Sequence, residues 1–255
     1  MQILRYSFVI ITPGRCGSEH LSETLNHYED ITVDGEIFNR SNYGSNSFND
    51  YLRKSAFRLV FGFVFNRGRL SRYQVNFPLR YAINKFLRSN HCGTSSISGF
   101  KLTLDQLHAY PYILDILLKK ECKIIYLYRE DKLAQVLSLV KARNTGQYHS
   151  RVKNNTSEAY TFDVEQVSRQ YWQLMEWECN LMRRLKNVSF YSLSYESLFE
   201  AYQQSIDAIR AFLNLPKSDI VCYSNLLKSN PSELKAWVSN LEELRRAVAR
   251  TRSKK

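Results

Sequence analysis

Short apolar runs rich in β-branched and aromatic residues alternate with longer stretches of helical periodicity along this chain. The runs predict strands at Tyr6 to Thr12, Ile97 to Leu102, Lys123 to Tyr128 and Val188 to Leu193, with a weaker strand at Ile31 to Gly35. Such alternation is typical of a mainly parallel sheet with helices on both faces. We therefore predict an α/β fold of three layers, with a central, mainly parallel sheet of about five strands flanked by helices.

Helical periodicity is clear in three segments of the chain, and two more helical segments follow them. The five segments are Ser18 to Asn26, Asp131 to Thr145, Val164 to Leu185, Glu200 to Leu213 and Ser232 to Ala249. Gly146 directly follows the second segment, where glycine favours the end of a helix. The region 42–90 is rich in arginine and aromatic residues and does not fit the alternation. We predict that it forms a helical insertion between the second and third strands.

The 255 residues are sufficient for one domain with a large core, so we predict a single domain over residues 1–255 with a disordered basic tip at 251–255. No charged segment followed by an apolar segment precedes the first strand, so no secretion signal is expected. The 5 cysteines are scattered without a CxxC pair, which predicts neither a disulfide framework nor a zinc site. Together these features favour a cytoplasmic location.

The net charge of +12 indicates an anionic partner, because excess lysine and arginine attract anions. Nucleic acid, acidic lipid headgroups and phosphorylated small molecules all fit this charge. No acidic residue occurs between Asp50 and Asp105. The basic residues of that stretch are Arg53, Lys54, Arg58, Arg67, Arg69, Arg72, Arg80, Lys85, Arg88 and Lys101. This segment is expected either to face an anionic surface or to be widely solvated.

The segment Phe8 to Ser18 predicts a buried strand that runs through a glycine-containing loop into a helix. Such a junction presents unpaired backbone N–H groups and the positive end of the helix dipole, which favours phosphate binding. It lacks the glycine spacing and the lysine of a Walker A loop, so Arg15 would supply the charge. The alternative is an ordinary strand-to-helix turn of an α/β protein.

A second candidate anion site follows the strand predicted at Lys123 to Tyr128. Arg129 stands at the end of this strand, where open α/β sheets place their ligands. An NTPase usually has a magnesium-binding aspartate there, whereas an arginine favours an anion. The alternative is a surface ion pair of Arg129 with Glu130 or Asp131.

These residues resemble the sulfotransferases that use 3′-phosphoadenosine 5′-phosphosulfate (PAPS). The segment Thr12 to Ser18 is similar to their 5′-phosphosulfate loop, and Arg129 with Ser138 is similar to their 3′-phosphate pair. Residues Glu130 to Tyr148 are similar to the bacterial branch that acts on trehalose, nodulation factors and lipopolysaccharide. Further matching segments occur in the expected order at Gly35 to Asn39, Gly99 to Leu102, Ser194 to Leu198 and Ser239 to Leu244. The resemblance implies a P-loop-like fold over most of the chain.

The resemblance also implies which residues bind the donor. A nucleotide with phosphates at both ends of its ribose needs two separated anion sites, and no metal is expected. The donor-binding residues that it implies are Pro13, Gly14, Arg15, Cys16, Gly17, Ser18, Arg129, Ser138 and Tyr148. Arg15 is expected to have a catalytic role as well, because charge builds up on the leaving phosphate during sulfuryl transfer.

On the acceptor side, the resemblance implies Glu36 as the base that removes the proton of the acceptor hydroxyl. Glu36, Phe38 and Lys101 are the expected acceptor-binding residues. The alternatives are a surface carboxylate at Glu36, a surface lysine at Lys101 and a histidine as the base, since other branches use histidine. The competing histidines are His20, His27, His91, His108 and His149.

The chain departs from the family pattern at three points. Tyr148 stands where the family usually has tryptophan, which leaves an aromatic face. Arg129 and Ser138 are one residue further apart than in the cytosolic aryl sulfotransferases, so residue roles are not transferred from that branch. Cys16 replaces a more common serine or threonine and is interpreted as a spectator thiol.

The sequence thus predicts sulfuryl transfer from PAPS to a hydroxyl of a carbohydrate or glycolipid. The alternatives are a P-loop kinase or NTPase, and a basic protein that binds nucleic acid or a membrane surface. Under the sulfotransferase interpretation, nucleic acid is not an expected partner. Arg67, Arg69 and Arg72, interleaved with aromatic residues, are candidates for contact with an acidic glycan or the inner face of a membrane.

Overall fold

The computed structural model describes residues 6–42, 44–55, 72–88, 96–146, 159–220, 224 and 233–250. Four parts of the sequence-based predictions lie outside these residues: Tyr148, two of the histidines, most of the insertion's arginine-rich part and the basic tip at 251–255. Within the described residues, no helix is both long enough and apolar enough to cross a membrane.

Five strands form one sheet. They are β1 (Phe8–Thr12), β2 (Ile31–Asp34), β3 (Ile97–Thr103), β4 (Lys123–Tyr128) and β5 (Tyr191–Ser194). Their order across the sheet is β2-β3-β1-β4-β5, and each neighbouring pair is parallel. The prediction of a central, mainly parallel sheet of about five strands is confirmed.

Helices follow or connect the strands over the described part of the chain. Their bounds are α1 (Ser18–Leu25), α2 (Phe48–Lys54), α3 (Arg72–Phe86), α4 (Leu104–Ala109), α5 (Tyr112–Lys119), α6 (Lys132–Thr145), α7 (Val164–Leu185), α8 (Tyr195–Glu200), α9 (Tyr202–Phe212) and α10 (Leu241–Arg250), with a 3₁₀ turn at Leu234–Ala236. Two of them, α2 and α3, fall in the predicted insertion. The short helices α4 and α5 were not predicted, because neither is long enough to show a clear period of 3.6.

Helix packing on both faces of the sheet makes three layers. Val9 and Ile11 of β1 belong to the core formed with α3, α4, α5, α6 and α7. Phe8 and Ile10 belong to the second core, formed with α1, α8 and α9. Because successive residues of a strand point to opposite faces, this one strand supplies both cores. Burial on both faces explains why β1 is a continuous apolar run rather than an alternating one.

Three predicted elements differ from those observed. The helix predicted at Ser232 to Ala249 begins only at Leu241, after a 3₁₀ turn at Leu234–Ala236. The strand predicted from Val188 begins only at Tyr191, since the Val188 N–H donates to the Leu185 carbonyl in a turn that ends α7. The helix predicted near Glu200 to Leu213 begins at Tyr202 as α9, and a separate short helix, α8, precedes it and ends at Glu200. Local turn geometry therefore overrides the sequence pattern at these boundaries.

Gly99 leaves no room for a side chain within the sheet. It lies beside Phe8 in the β1–β3 pair, and a Cβ atom on Gly99 would lie 2.4 Å from the Phe8 ring. We predict that Gly99→Ala lowers the free energy of unfolding by roughly 1–3 kcal/mol, because a fully buried ring cannot move aside without strain. Urea denaturation measures this change.

Gly35→Ala is the matched control. A Cβ atom on Gly35 would meet nothing within 4 Å, so its effect on unfolding should be small. Equal stability of Gly99→Ala and the parent protein would show that the β1–β3 contact is looser than described.

Candidate functional site

The loop between β1 and α1 has an unusual backbone. Gly14, Arg15 and Gly17 all have positive φ, at 83°, 57° and 74°. A left-handed conformation at a non-glycine residue such as Arg15 costs about 1–3 kcal/mol, and such strain concentrates at functional sites. Gly17 is also confined by space, since a Cβ atom there would lie 3.1 Å from Phe199 and 3.2 Å from Tyr195. Successive N–H groups of such a loop form a concave anion-binding surface.

The helix that follows this loop adds further donors. The first intrahelical bond of α1 is the one that Leu21 N–H donates to the Gly17 carbonyl at 2.9 Å. The amides of Ser18, Glu19 and His20 precede it and therefore have no acceptor within the helix. Pro13 to Ser18, which the resemblance implied as donor-binding residues, thus form one continuous loop and helix start.

Helix α6 fixes this loop from the side. Gln135 donates from Nε2 to the Gly14 carbonyl at 2.8 Å and to Cys16 Sγ at 3.2 Å. The Nε atom of Arg15 donates to Ser138 Oγ at 3.0 Å. Ser138, which the resemblance paired with Arg129, is therefore hydrogen-bonded to the other arginine of the site.

Arg129 lies at the end of β4 in a partly buried position. Its guanidinium stacks 4.8 Å from the centre of the Tyr195 ring, and its Nε atom is 3.8 Å from Glu196 Oε1. The Nε atom is buried and has no hydrogen-bond acceptor among the described residues. Glu196 also accepts the N–H of Glu130 at 2.9 Å, so the ion pair of Arg129 is with α8 rather than with its sequence neighbours.

Tyr195 joins the two arginine sites. Burial raises the pKa of its hydroxyl, and the positive charges of Arg129 and Arg15 act on the same hydroxyl to lower it. Its ring also borders Gly17. The Tyr195 ring therefore lies between the Arg129 guanidinium and the loop that contains Arg15. In the sequence, Tyr195 lies in a segment that resembles the family, but no role was predicted for it. Its position in the site depends on how β5 pairs with β4, which the sequence alone does not show.

Glu36 lies in the loop after β2 and is held by three side chains. Asn39 Nδ2 and Gln106 Nε2 both donate to Glu36 Oε2, at 3.0 Å and 2.9 Å. Lys101 Nζ is 3.4 Å from Glu36 Oε1, and Lys101 also forms an ion pair with Glu19 on α1. The Glu36 side chain is 29% exposed, whereas that of Lys101 is 5% exposed.

The acceptor-binding residues that the sequence predicts, Glu36, Phe38 and Lys101, have different surroundings in the structure. Lys101 is buried between two carboxylates and is not a surface lysine. Phe38 is 1% exposed and packs among Phe48, Phe86 and Phe100, so it supports the Glu36 loop from within the core. Glu36 and Lys101 are thus brought together, and Phe38 lies behind them.

The described histidines lie in other surroundings. The ring of His20 packs edge-on against Phe199 and Tyr202, and burial lowers its pKa. His108 stacks on Trp177 at 5.2 Å. His27 Nδ1 is 2.7 Å from the Glu23 carbonyl. Within the described part of the chain, no group of three or more histidine, cysteine, aspartate or glutamate residues is arranged to hold a metal ion.

Cys16 is enclosed beneath the loop. It is fully buried, and burial raises the pKa of its thiol to about 12. Its Sγ donates to the Gly14 carbonyl at 3.3 Å, so the side chain connects parts of the loop. This environment is consistent with the interpretation of Cys16 as a spectator thiol.

Cysteine labelling tests this environment. At pH 8 we predict that iodoacetamide modifies Cys179, which is exposed, and leaves Cys16 and Cys122 unmodified in the folded protein. The thiolate is the nucleophile, and burial raises the pKa of Cys122 to about 12 as well, so both buried groups stay protonated at that pH. Peptide mass spectrometry measures the modification, with urea-unfolded protein as the control. Labelling of Cys16 as fast as Cys179 would contradict the buried position.

Comparison with known proteins gives a family and a fold. Residues 6–254 match the family model described as "Sulfotransferase domain". No curated protein sequence matches the chain significantly. The crystal structure of a sulfotransferase from Alicyclobacillus acidocaldarius is similar with a TM-score of 0.50 and 14% identity, over 98% of this chain and 96% of that one. At this identity the likeness shows a shared fold.

Two further structures are less similar. Sulfotransferase STF9 from Mycobacterium avium has a TM-score of 0.49 and 12% identity, over 98% of this chain and 77% of that one. Mouse sulfotransferase SULT7A1, complexed with PAP, has a TM-score of 0.44 and 15% identity, over 84% of this chain and 60% of that one.

Proposed function

The chain belongs to the sulfotransferase domain family, and we propose that it transfers a sulfuryl group from PAPS to a hydroxyl of a carbohydrate or glycolipid. Sulfuryl transfer follows from the family, and so does an acceptor substrate. Family membership also decides against the kinase, NTPase and non-enzymatic alternatives. The identity of the donor is implied by the family, and the class of acceptor rests on the resemblance of Glu130 to Tyr148 and of the Glu36 segment to the bacterial branch.

One observation carries the assignment of the donor site: the Tyr195 ring contacts the Arg129 guanidinium and also borders Gly17, in the loop that contains Arg15. PAPS carries anionic groups at the 5′ and 3′ ends of one ribose, which two arginines in a shared crevice would match. We assign the loop at Arg15 to the 5′ end and Arg129 to the 3′ end. The buried Nε of Arg129, which has no hydrogen-bond acceptor among the described residues, supports an anionic ligand there.

The loop residues also suit the transfer step. When bound, the donor supplies a sulfuryl group by in-line displacement, and negative charge builds up on the bridging oxygen that it leaves. Arg15 and the amides of Gly17 and Ser18 would stabilise that charge as fixed donors. Gln135 and Ser138 hold the loop and Arg15 in place before the substrate arrives, which limits reorganisation during the reaction.

We assign Glu36 as the base that accepts the proton of the acceptor hydroxyl. Its position relative to the donor loop supports this role, since Lys101 contacts both Glu36 and Glu19, and Glu19 is the second residue of α1. Glu36 is partly exposed and so remains accessible to an acceptor. The described histidines have other contacts, and none of those contacts involves Glu36.

We also propose a cytoplasmic enzyme whose basic segment between Asp50 and Asp105 faces an anionic membrane or glycan. The described cysteines are free thiols, which supports a reducing compartment. In the described part of that segment, Arg53 and Lys54 pair with Asp50 and Arg80 stacks on Tyr112. Contact with an anionic surface would therefore depend on basic residues other than these three.

Binding of adenosine 3′,5′-bisphosphate tests the donor site. A ligand at 100 times its dissociation constant stabilises a protein by about 2.7 kcal/mol, which a thermal shift detects. We predict that Arg15→Ala and Arg129→Ala both remove most of this stabilisation. Adenosine 5′-monophosphate lacks the 3′-phosphate. The stabilisation that it gives should therefore fall in Arg15→Ala but not in Arg129→Ala.

Arg183→Ala is the matched control, because Arg183 is exposed on α7, on a helix that contributes no assigned donor residue. Its thermal shift with the bisphosphate should equal that of the parent protein. Full stabilisation of Arg129→Ala by the bisphosphate would refute the assignment of the 3′ end.

Replacement of Glu36 separates catalysis from donor binding. We predict that Glu36→Gln binds adenosine 3′,5′-bisphosphate normally but loses turnover by about 10²–10⁴-fold, the usual contribution of a positioned base. Turnover is measured as transfer of the radiolabelled sulfuryl group from PAPS to a polysaccharide and glycolipid extract of the source organism. Glu176→Gln, at an exposed position on α7, is the control. Normal turnover by Glu36→Gln would reject Glu36 as the base.

A further inference from the structure

Gln106 contacts the proposed base from inside the protein. It is the third residue of α4 and is only 4% exposed. Its Nε2 atom donates to Glu36 Oε2 at 2.9 Å across 70 positions of sequence. A buried amide that donates to a partly exposed carboxylate fixes the position of that carboxylate, because the amide itself cannot move into solvent.

The orientation of the Gln106 amide is set by the start of α4. The backbone N–H of Thr103 donates to Gln106 Oε1 at 3.4 Å, an interaction typical of a helix capping box. Because a backbone N–H can only donate, the oxygen of the amide must face Thr103. The nitrogen must then face Glu36, so the contact with the base is a donated hydrogen bond.

The hydrogen bonds to Glu36 distinguish its two oxygens. A carboxylate offers about four acceptor positions, two on each oxygen. Both positions of Oε2 are occupied by the amides of Asn39 and Gln106, whereas Oε1 has the longer contact with Lys101 at 3.4 Å. Proton transfer from an acceptor hydroxyl therefore has to occur at Oε1.

We infer that Gln106 is a positioning residue that directs Oε1 of Glu36 towards the acceptor hydroxyl. The inference rests on the proposed role of Glu36 as the base. Gln106 does not touch the donor loop in any described contact, so its effect should appear in turnover and not in donor binding. Loss of the amide would allow the carboxylate to rotate away from its reactive orientation, and misplacement of this size costs roughly 10- to 100-fold in rate.

Two substitutions test this role. Gln106→Met removes both the bond to Glu36 and the acceptor for Thr103. Gln106→Glu keeps an acceptor for Thr103 but, when ionised, cannot donate to Glu36. We expect both variants to lose turnover by roughly 10- to 100-fold. Both variants should also lose stability in urea denaturation, because Gln106→Met leaves the Thr103 N–H without its acceptor and Gln106→Glu buries a carboxylate beside Glu36. Both should bind adenosine 3′,5′-bisphosphate normally by calorimetry.

A double-mutant cycle provides the decisive measurement. In a Glu36→Gln background, Gln106→Met should cause no further loss of turnover, because the group that it positions is already absent. Gln173→Met, at an exposed position on α7, is the control and should leave turnover unchanged.

Three results would overturn the inference. Turnover of both Gln106 variants within about twofold of the parent would exclude a positioning role, and an equal loss in the Glu36→Gln background would indicate a general structural effect. Normal turnover of Glu36→Gln alone would remove the premise. Normal turnover of Glu36→Gln is measured without any Gln106 variant. Failure of the proposed base can therefore be distinguished from failure of the proposed positioning role.

Discussion

The parallel arrangement of the five strands is the constraint on which the site depends. Because all strands run in the same direction, their carboxyl ends meet at one edge of the sheet, and each strand contributes one polar side chain at or near that edge. Arg15 follows β1, Glu36 follows β2, Lys101 lies in β3, Arg129 follows β4 and Tyr195 follows β5. Reversal of any strand would move its residue to the opposite edge. The central position of β1, which is buried on both faces, therefore holds the arrangement together.

Charged groups at this edge are partly or fully desolvated, and each is held by a partner from another segment. Lys101 pairs with Glu36 and Glu19, and Arg129 lies over Tyr195 beside Glu196. Below them, Glu178 of α7 accepts hydrogen bonds from Tyr126 at 2.8 Å and from Lys132 at 2.6 Å. Desolvated charges are costly unless they are paired and hydrogen-bonded. These pairs therefore fix the positions of the charged side chains at this edge and also neutralise their charges.

The sequence was informative where a pattern is local and poor where contacts are distant. The buried strands, the loop at Arg15 and the position of Arg129 at a strand end follow from neighbouring residues, and in the structure the Tyr195 ring contacts Arg129 and borders Gly17 of that loop. Contacts that depend on packing between strands were missed: Gln106 with Glu36, Tyr195 between the arginines, and Ser138 on Arg15. A single sequence does not show which helix N-terminus packs against which loop. The same limit explains why Phe38 was expected at the acceptor rather than in the core.

The register of β1 with β3 connects the donor and acceptor halves of the site. Lys101 is paired with Ile10 of β1, and its neighbours in β3 face the larger core, so the lysine faces the layer that contains α1. There it meets Glu19, while its own backbone N–H donates to the carbonyl of Gly35, the residue before Glu36. A slip of one residue in this register would turn the lysine to the other face and break both connections. The pairing of β3 with β1 therefore helps to set the distance between the donor loop and the proposed base.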